Sequence, residues 1–207
     1  MRVIGGQFRS RPLLAPSGQA TRPTSDRLRE TLMNVLQNGA RNRVAGARVL
    51  DLFAGTGAVG VEALSRGAAS VTFVEQSTQS MAILESNCRN MGIGRQAQRV
   101  RSKVAQWLKR ANSGQQYDWV FLDPPWDDAE AYALTLESLG TTASGLLQND
   151  AWVIAEHRRK STLEDSYGGL KRWRILEQGD AALSFYRCVH DRAMGDDARC
   201  ETEDDPH

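Results

Sequence analysis

A set of closely spaced glycines follows an acidic residue at the end of an apolar run. The stretch 49–60 reads VLDLFAGTGAVG, which predicts a strand, a tight turn and the start of a helix. Gly55 and Gly57 let the backbone approach a ligand where a Cβ would block it, and the helix would direct free N–H groups towards the same place. We expect a small-molecule cofactor to bind at this turn.

The glycines alone leave two kinds of cofactor open. Gly55, Gly57 and Gly60 match the dinucleotide fingerprint G-x-G-x-x-G, and Glu75 follows at the distance expected of an acid that holds a ribose. Asp51, however, lies at the carboxyl end of the predicted strand, where it would repel a pyrophosphate and attract the ammonium and sulfonium groups of S-adenosylmethionine. The sequence therefore favours S-adenosylmethionine over NAD.

A second chemical group follows directly on the apolar run 117–122 and consists of Asp123, Pro124, Pro125 and Trp126. The prolines remove two backbone donors, which leaves the carbonyl groups and the Asp123 carboxylate as hydrogen-bond acceptors. Such acceptors suit an exocyclic amino group of a nucleobase, whose nitrogen they would draw towards a shape that can attack a methyl group. Trp126 offers a face for stacking an extruded base, worth about 1 to 3 kcal/mol. These four residues are the predicted catalytic residues.

Alternating strands and helices are predicted to position both groups. Their order implies right-handed crossovers and a parallel, doubly wound sheet whose ligands lie beyond the carboxyl ends of the strands. The last two predicted strands, 172–177 and 181–189, are joined by only three residues, which indicates an antiparallel hairpin. This ending favours an α/β, Rossmann-like class I methyltransferase fold with a seven-stranded, mostly parallel sheet, because a dinucleotide domain would continue its crossovers.

The chain is expected to divide into three parts. Residues 1–24 contain several glycines and prolines between short apolar pieces and predict an N-terminal arm or β-hairpin. Residues 25–190 form the predicted methyltransferase domain, which begins with a helix that would bury Leu28 and Leu32 and leave Arg27 and Arg29 outward. Residues 191–207 lack apolar periodicity and predict a disordered tail.

Charge is distributed unevenly along the chain, although the net charge is only +1. From Asp191 onward there are seven acids against two arginines, so the rest of the chain is basic. Residues 1–30 hold six arginines against two acids, an excess that favours an anionic partner such as RNA and fits a solvated surface equally well. The predicted RNA contacts are Arg2, Arg9, Arg11, Arg22, Arg27 and Arg29.

Composition excludes several other classes of protein. At 207 residues with 41% hydrophobic residues, the chain suits one α/β domain with small additions. The three cysteines are widely spaced and the histidines isolated, which predicts neither a disulfide framework nor a metal site. We find no signal-peptide pattern and no apolar run long enough for a bilayer. A cytoplasmic monomer without membrane contact is the expectation.

The motifs together resemble those of the bacterial small-subunit rRNA methyltransferases that act on N2 of one guanine in 16S rRNA. The resemblance covers residues 1 to about 190 and extends to four further blocks: RVIGG at 2–6, RPT at 22–24, DRLRETL at 26–32 and GVEALSRG at 60–67. It implies a class I fold, S-adenosylmethionine as methyl donor, and 16S rRNA, in an assembling 30S subunit, as acceptor. The implied cofactor contacts are Asp51, Phe53, Gly55, Thr56, Gly57, Glu75, Gln76 and Ser102.

One position departs from that family. After the third strand the family usually places Asp or Asn, to meet the adenine amino group, whereas this chain has Ser102 and Lys103. Lys103 cannot accept a hydrogen bond. Either Ser102, the backbone and stacking hold the adenine, or cofactor affinity is lower than usual.

Three other functions stay open at this point. An adenine N6-methyltransferase acting on DNA would use a similar acceptor cluster, and only the N-terminal residues and the first helix argue against it. A catalytically silent RNA-binding or ribosome-assembly factor could keep the fold, for which Lys103 is the one indication. An NAD enzyme is the third, and binding of S-adenosylhomocysteine or NAD would distinguish it from the others.

Overall fold

The computed structural model describes residues 1–16, 25–111, 114–141 and 145–189. Arg22, one of the predicted RNA contacts, and the predicted tail 191–207 lie outside these ranges. The eight strands of the described residues form one sheet. They are β1 (Arg48–Leu52), β2 (Ser70–Glu75), β3 (Ala97–Arg101), β4 (Tyr117–Leu122), β5 (Leu147–Arg158), β6 (Ser166–Tyr167), β7 (Leu170–Gln178) and β8 (Ala181–Cys188).

The sheet is parallel on one side and antiparallel on the other. Its strand order is β3-β2-β1-β4-β5-β8-β7-β6. Strands β1 to β5 pair in parallel, whereas β8 is antiparallel to both β5 and β7. The predicted mostly parallel sheet with a terminal antiparallel hairpin is therefore confirmed.

The sheet has one strand more than the predicted seven. The additional strand β6 is two residues long and pairs with the start of β7 through Ser166 and Lys171. So short a strand has no apolar alternation from which to predict it. The signal that could have found it is Gly168-Gly169, because a two-residue glycine turn is typical of a tight hairpin.

Helices cover both faces of the sheet. One apolar cluster packs the first three helices against one face, and a second cluster packs the last two against the other face. None of the described helices is both long enough and apolar enough to cross a membrane. The helices are α1 (Asp26–Gln37), α2 (Ala58–Ser65), α3 (Thr78–Met91), α4 (Val104–Arg110) and α5 (Ala129–Gly140), preceded by a short 3-10 helix (Gly6–Phe8).

The helix ends follow local capping chemistry. Ser25, Ser77 and Asp128 each accept a hydrogen bond from a backbone amide of the first turn, at the start of α1, α3 and α5. Gly92 ends α3 with a φ of +72°, a left-handed conformation that glycine adopts without steric cost. Because these signals are local, the ends of these helices can be read from short stretches of the sequence.

The first residues dock on the far end of α2. Residues 1–13 fold back on themselves through backbone hydrogen bonds. The carboxylate of Glu62 accepts hydrogen bonds from the backbone amides of residues 4 and 5, at 2.8 Å each. Gly6 has a φ of +74°, and a Cβ there would lie 1.9 Å from the carbonyl oxygen of Ser65. Only glycine permits this approach. The docked segment thus contacts the end of α2 away from the glycine-rich turn.

Candidate active site

Both predicted chemical groups lie at the same edge of the sheet. β1 and β4 are neighbours, and Leu52 pairs with Leu122 at their carboxyl ends. The amide of Asp123 also donates to the carbonyl of Leu52 at 3.4 Å. On the other side of β1, β2 ends at Glu75. The glycine-rich turn, Glu75 and the residues after β4 therefore open on one edge, which we call the active edge.

The carboxylate of Asp51 is buried beneath the glycine-rich turn, with 2% of the residue exposed. Its Oδ2 accepts the amide of Gly60 in α2 at 3.0 Å. The pKa of Asp51 is raised to about 8, chiefly by burial and in smaller part by the nearby charge of Glu75, while the hydrogen bond from Gly60 opposes the rise. A cation bound beside Asp51 would stabilise its ionised form.

Glu75 closes the turn from the end of β2. Its Oε2 accepts the amide of Gly55 at 2.8 Å, and its Oε1 accepts the amide of Ser77 at 2.6 Å. Each carboxylate oxygen has two acceptor positions, so one on each remains for a ligand hydroxyl. Two backbone hydrogen bonds therefore hold Glu75 in a fixed orientation at the active edge.

The turn itself contains an unusual backbone conformation. Phe53 has a φ of +57°, next to Gly55 at +55° and Gly57 at +79°. A left-handed conformation is uncommon for a residue with a Cβ and costs on the order of 1 kcal/mol or more. Such strain is retained where surrounding contacts impose it, and here it lies in the loop whose Gly55 amide is held by the carboxylate of Glu75.

The remaining predicted cofactor residues flank this turn. Thr56 is buried, and its carbonyl accepts a hydrogen bond from an asparagine of α3. Gln76 is exposed directly after Glu75. Ser102 follows β3 and donates its hydroxyl to the carbonyl of Lys103 at 3.0 Å. The Ser102 oxygen keeps its acceptor capacity, so it can meet an amino group where the exposed Lys103 cannot.

Asp123 lies in a strongly acidic environment. Burial raises the pKa of this carboxyl well above its usual range, and the charges of Glu156 and Asp51 raise it further. A hydrogen bond from the Trp126 side chain acts in the opposite direction. Because the indole N–H can only donate, it fixes the carboxylate as the acceptor in this pair.

The two proline carbonyls each accept one hydrogen bond from within the protein. The carbonyl of Pro124 accepts a hydrogen bond from the Tyr132 hydroxyl at 3.3 Å, and the carbonyl of Pro125 accepts one from the amide of Asp128 at 2.9 Å. The helix α5 and its capping residue thus use these carbonyls to hold the loop. Because a carbonyl oxygen has two acceptor positions, Pro124 and Pro125 each keep one, beside those of Asp123, for a ligand amino group.

Two residues of the site were missed in the sequence. Glu156 is buried near the end of β5, one residue beyond Ala155, which pairs with Leu122. The backbone carbonyl of Glu156 accepts a hydrogen bond from the hydroxyl of Tyr132 at 2.8 Å, and the same hydroxyl contacts the carbonyl of Pro124. The available signal for Glu156 was an acid that ends a predicted apolar strand, as Glu75 does. Tyr132 had no signal beyond its helical spacing.

The four carboxylates at the active edge decide which cofactor fits. Asp51, Glu75, Asp123 and Glu156 form an acidic group that would repel a pyrophosphate. A ligand with two cationic groups and a ribose matches these four carboxylates, because they attract cations and Glu75 keeps acceptor positions for hydroxyls. The residues therefore fit S-adenosylmethionine and do not fit NAD.

The N-terminal arginines do not share one environment. Arg29 was expected to face outward but is fully buried, where its guanidinium donates to the carbonyl of Arg2 at 2.7 Å and to Asp26 at 2.8 Å. Those two acceptors compensate the buried charge, so the prediction that Arg29 contacts RNA is wrong. Among the described residues of the predicted set, Arg2, Arg9, Arg11 and Arg27 are exposed.

Comparisons with known proteins agree with this geometry. The family described as Conserved hypothetical protein 95 matches residues 1–187. Ribosomal RNA small subunit methyltransferase D of Escherichia coli K12 is 41% identical over 197 residues, covering 95% of this chain and 92% of that protein. The protein of the same name from Haemophilus influenzae is 36% identical over 191 residues, covering 90% and 92%.

Solved structures show the same fold. That of yhhF from Escherichia coli has a TM-score of 0.76 at 34% identity and covers 91% of this chain and 97% of its own. A hypothetical protein of Thermus thermophilus has a TM-score of 0.73 at 29% identity, covering 89% and 98%. The chain therefore belongs to the Conserved hypothetical protein 95 family, a class I S-adenosylmethionine-dependent methyltransferase family that includes the small subunit rRNA methyltransferase D proteins.

Proposed function

We propose that this chain transfers a methyl group from S-adenosylmethionine to the N2 amino group of a guanine in 16S rRNA of the small ribosomal subunit. The observation that carries this proposal is the Asp123 carboxylate, held by Trp126 at the same edge as Asp51 and Glu75. The names of the relatives, which are rRNA small subunit methyltransferases, support an RNA acceptor.

The cofactor would be held mainly from β1, β2 and β3. Asp51 faces a cationic group, and Glu75 accepts hydrogen bonds from the ribose hydroxyls. Ser102 accepts a hydrogen bond from the adenine amino group, in place of the Asp or Asn that is usual in the family. S-adenosylmethionine supplies, when bound, a methyl group on a sulfonium. Phe53, Gly55, Thr56, Gly57 and Gln76 line the cofactor side of the turn in this proposal. Each of these assignments is a prediction for mutation.

Asp123 orients the acceptor nitrogen. An oxygen of the Asp123 carboxyl group accepts a hydrogen bond from the guanine amino group, while the face of Trp126 stacks against the base. When nitrogen gains the methyl group it loses one proton, which passes to Asp123 or to water. Holding the nitrogen in line with the methyl group can contribute several kcal/mol to the rate, so orientation is the main contribution of these residues.

RNA would also contact the N-terminal residues. Arg2, Arg9, Arg11 and Arg27 are exposed, and Arg22 lies outside the described residues. These five arginines stay proposed phosphate contacts. A polyanionic substrate fits the basic excess of the chain outside its acidic tail. The proposed partner is 16S rRNA, free or in an assembling 30S subunit.

Methyl transfer to three substrates tests the function. The purified chain is incubated with methyl-tritiated S-adenosylmethionine and free 16S rRNA, 30S particles or duplex DNA, and the digested nucleosides are separated. N2-methylguanosine from either RNA substrate supports the proposal. N6-methyladenine from DNA identifies the alternative enzyme, and RNA binding without transfer identifies an assembly factor. The Asp123→Ala protein is the control for contaminating activity.

A further inference from the structure

A basic turn lies at the active edge, outside every set of residues discussed above. It consists of Arg158, Arg159 and Lys160, which end β5 and follow it, and all three are exposed. Since β5 runs parallel to β4, and Ala155 pairs with Leu122, this turn leaves the sheet at the edge where Asp123 lies. Three consecutive cations thus stand beside the acceptor site.

The backbone of the basic turn is fixed. The amide of Arg159 donates to the carbonyl of Asp180 at 2.7 Å, and the amide of Ser161 donates to the carbonyl of Arg158 at 2.8 Å. Beneath the turn, the imidazole of the buried His157 lies within hydrogen-bond distance of Arg158 and of β8. The loop between β7 and β8 and the core therefore hold the backbone that carries the three cationic side chains.

The charges of the basic turn are weakly compensated. The guanidinium of Arg158 lies 3.8 Å from the carboxylate of Asp127, whose side chain is 90% exposed. An exposed pair at this distance contributes little, so a phosphate can replace the carboxylate. Within the described part of the chain, Arg159 and Lys160 form no ion pair.

Arg158 connects the basic turn to the stacking residue. Its guanidinium carbon lies 5.5 Å from the centroid of the Trp126 ring, and the Trp126 side chain donates to Asp123. A cation–π contact of this kind restricts the orientation of both side chains. Asp123 therefore contacts Trp126, which contacts Arg158, and these contacts lead from the active edge outward to the basic turn.

We propose that the basic turn binds the phosphates on either side of the nucleotide whose base stacks on Trp126. This inference rests on the proposed function, since it takes the substrate to be an RNA with an unpaired target base. It assigns a second RNA-binding surface, from β5, in addition to the N-terminal arginines. Phosphates flanking an extruded base are the anions nearest to a cation that lies against the stacking residue.

Removing the three charges tests the assignment. The variant Arg158→Gln/Arg159→Gln/Lys160→Gln is compared with Arg95→Gln/Lys109→Gln/Arg110→Gln, which removes three exposed charges at the opposite end of the sheet. Binding of a labelled 16S rRNA transcript is measured by anisotropy at several salt concentrations. We expect the first variant to bind about tenfold or more weakly and to lose about two units of log–log salt slope, with little change in the control.

The outcomes separate the inference from the proposed function. Equal RNA binding by the two triple variants, while the unmutated protein methylates 16S rRNA, overturns the inference and leaves the function standing. Selective loss of binding in the basic-turn variant, in a protein that transfers no methyl group to rRNA, shows that the basic turn binds RNA but overturns both the function and the assignment to phosphates that flank a target base. Failure of the unmutated protein to bind the transcript overturns both. Calorimetry with S-adenosylhomocysteine and the melting temperature should be unchanged in both variants, because the altered side chains are exposed.

Discussion

The two halves of the active edge are built from different interactions. In the cofactor half, at the ends of β1 and β2, the carboxylates of Asp51 and Glu75 accept hydrogen bonds from backbone amides. In the acceptor half, at the ends of β4 and β5, the indole of Trp126 contacts Asp123, and the hydroxyl of Tyr132 holds the loop. One half depends on the local path of the backbone, and the other on side chains from separate elements.

This difference predicts different consequences of mutation. Backbone donors persist when a side chain is changed, so the turn of the cofactor half keeps much of its shape. Single substitutions there should therefore reduce cofactor affinity only in part. The acceptor half has one carboxylate whose position depends on its neighbours. Substitutions there should affect turnover more than cofactor binding, which gives each half its own kinetic signature.

The largest expected effect comes from Asp123→Ala. Turnover should fall by about a thousandfold or more, because the acceptor nitrogen loses its orienting carboxylate, while cofactor affinity stays nearly unchanged. Methyl transfer to rRNA and calorimetry with S-adenosylmethionine provide the two measurements. Glu130→Ala, which removes an exposed carboxylate from the first turn of α5, shortly after the same loop, is the matched control. Weak cofactor binding with residual full turnover would reverse the roles of the two halves.

The cofactor half was also the easier to predict from the sequence. Asp51, Gly55 and Gly57 lie within seven consecutive residues, and their relation to Glu75 follows from one strand–helix–strand unit. Glu156 became part of the acceptor half only through the pairing of Leu122 with Ala155, a register between distant segments that no local pattern encodes.

Arg29 illustrates the same limit outside the site. Its charge and helical position indicated an exposed residue, yet its guanidinium is buried against the carbonyl of Arg2 and the carboxylate of Asp26. That environment exists only after the first residues have docked. The strands, helices and terminal hairpin were predictable because apolar periodicity and capping are local, whereas the compensation of buried polar groups depends on tertiary contacts.

The second largest effect is expected for Glu75→Ala. Cofactor affinity should fall by about 1 to 3 kcal/mol, because the ribose loses its acceptors and the amides of Gly55 and Ser77 lose theirs. Turnover at saturating cofactor should change much less. Glu85→Ala, on the exposed face of α3, removes the same charge elsewhere and should bind as the unmutated protein does. Equal affinity of both variants would remove Glu75 from the cofactor site.

The pH dependence of cofactor binding sharpens the comparison further. With its pKa raised to about 8, Asp51 holds a proton in the free protein at neutral pH, and a cationic ligand favours the ionised form. Binding therefore releases a proton, and affinity should rise by up to about tenfold per pH unit from about pH 6 to about pH 7. The ammonium of the ligand stays protonated in this range.

Asp51→Asn should remove that pH dependence, and Asp123→Ala should retain it. Calorimetry with S-adenosylmethionine in two buffers of different ionisation enthalpy measures the released proton directly. A pH-independent affinity in the unmutated protein would show that Asp51 is already ionised before binding. Loss of the dependence in Asp123→Ala alone would assign the proton to the acceptor half instead.

The smallest expected effect comes from Tyr132→Phe. It removes the hydroxyl that joins the carbonyls of Pro124 and Glu156, at 3.3 and 2.8 Å, without touching a carboxylate or a ligand. Stability should fall by about 1 kcal/mol and turnover by about threefold to tenfold, since the loop that carries Asp123 loses an anchor. Tyr186→Phe is the matched control, because its buried hydroxyl donates to the carbonyl of Glu164 at 2.9 Å, away from this loop.

Similar losses of stability with a lower kcat only in Tyr132→Phe would show that side-chain contacts position the acceptor half. Equal kcat in both variants would mean that Asp123 keeps its position without the Tyr132 hydroxyl.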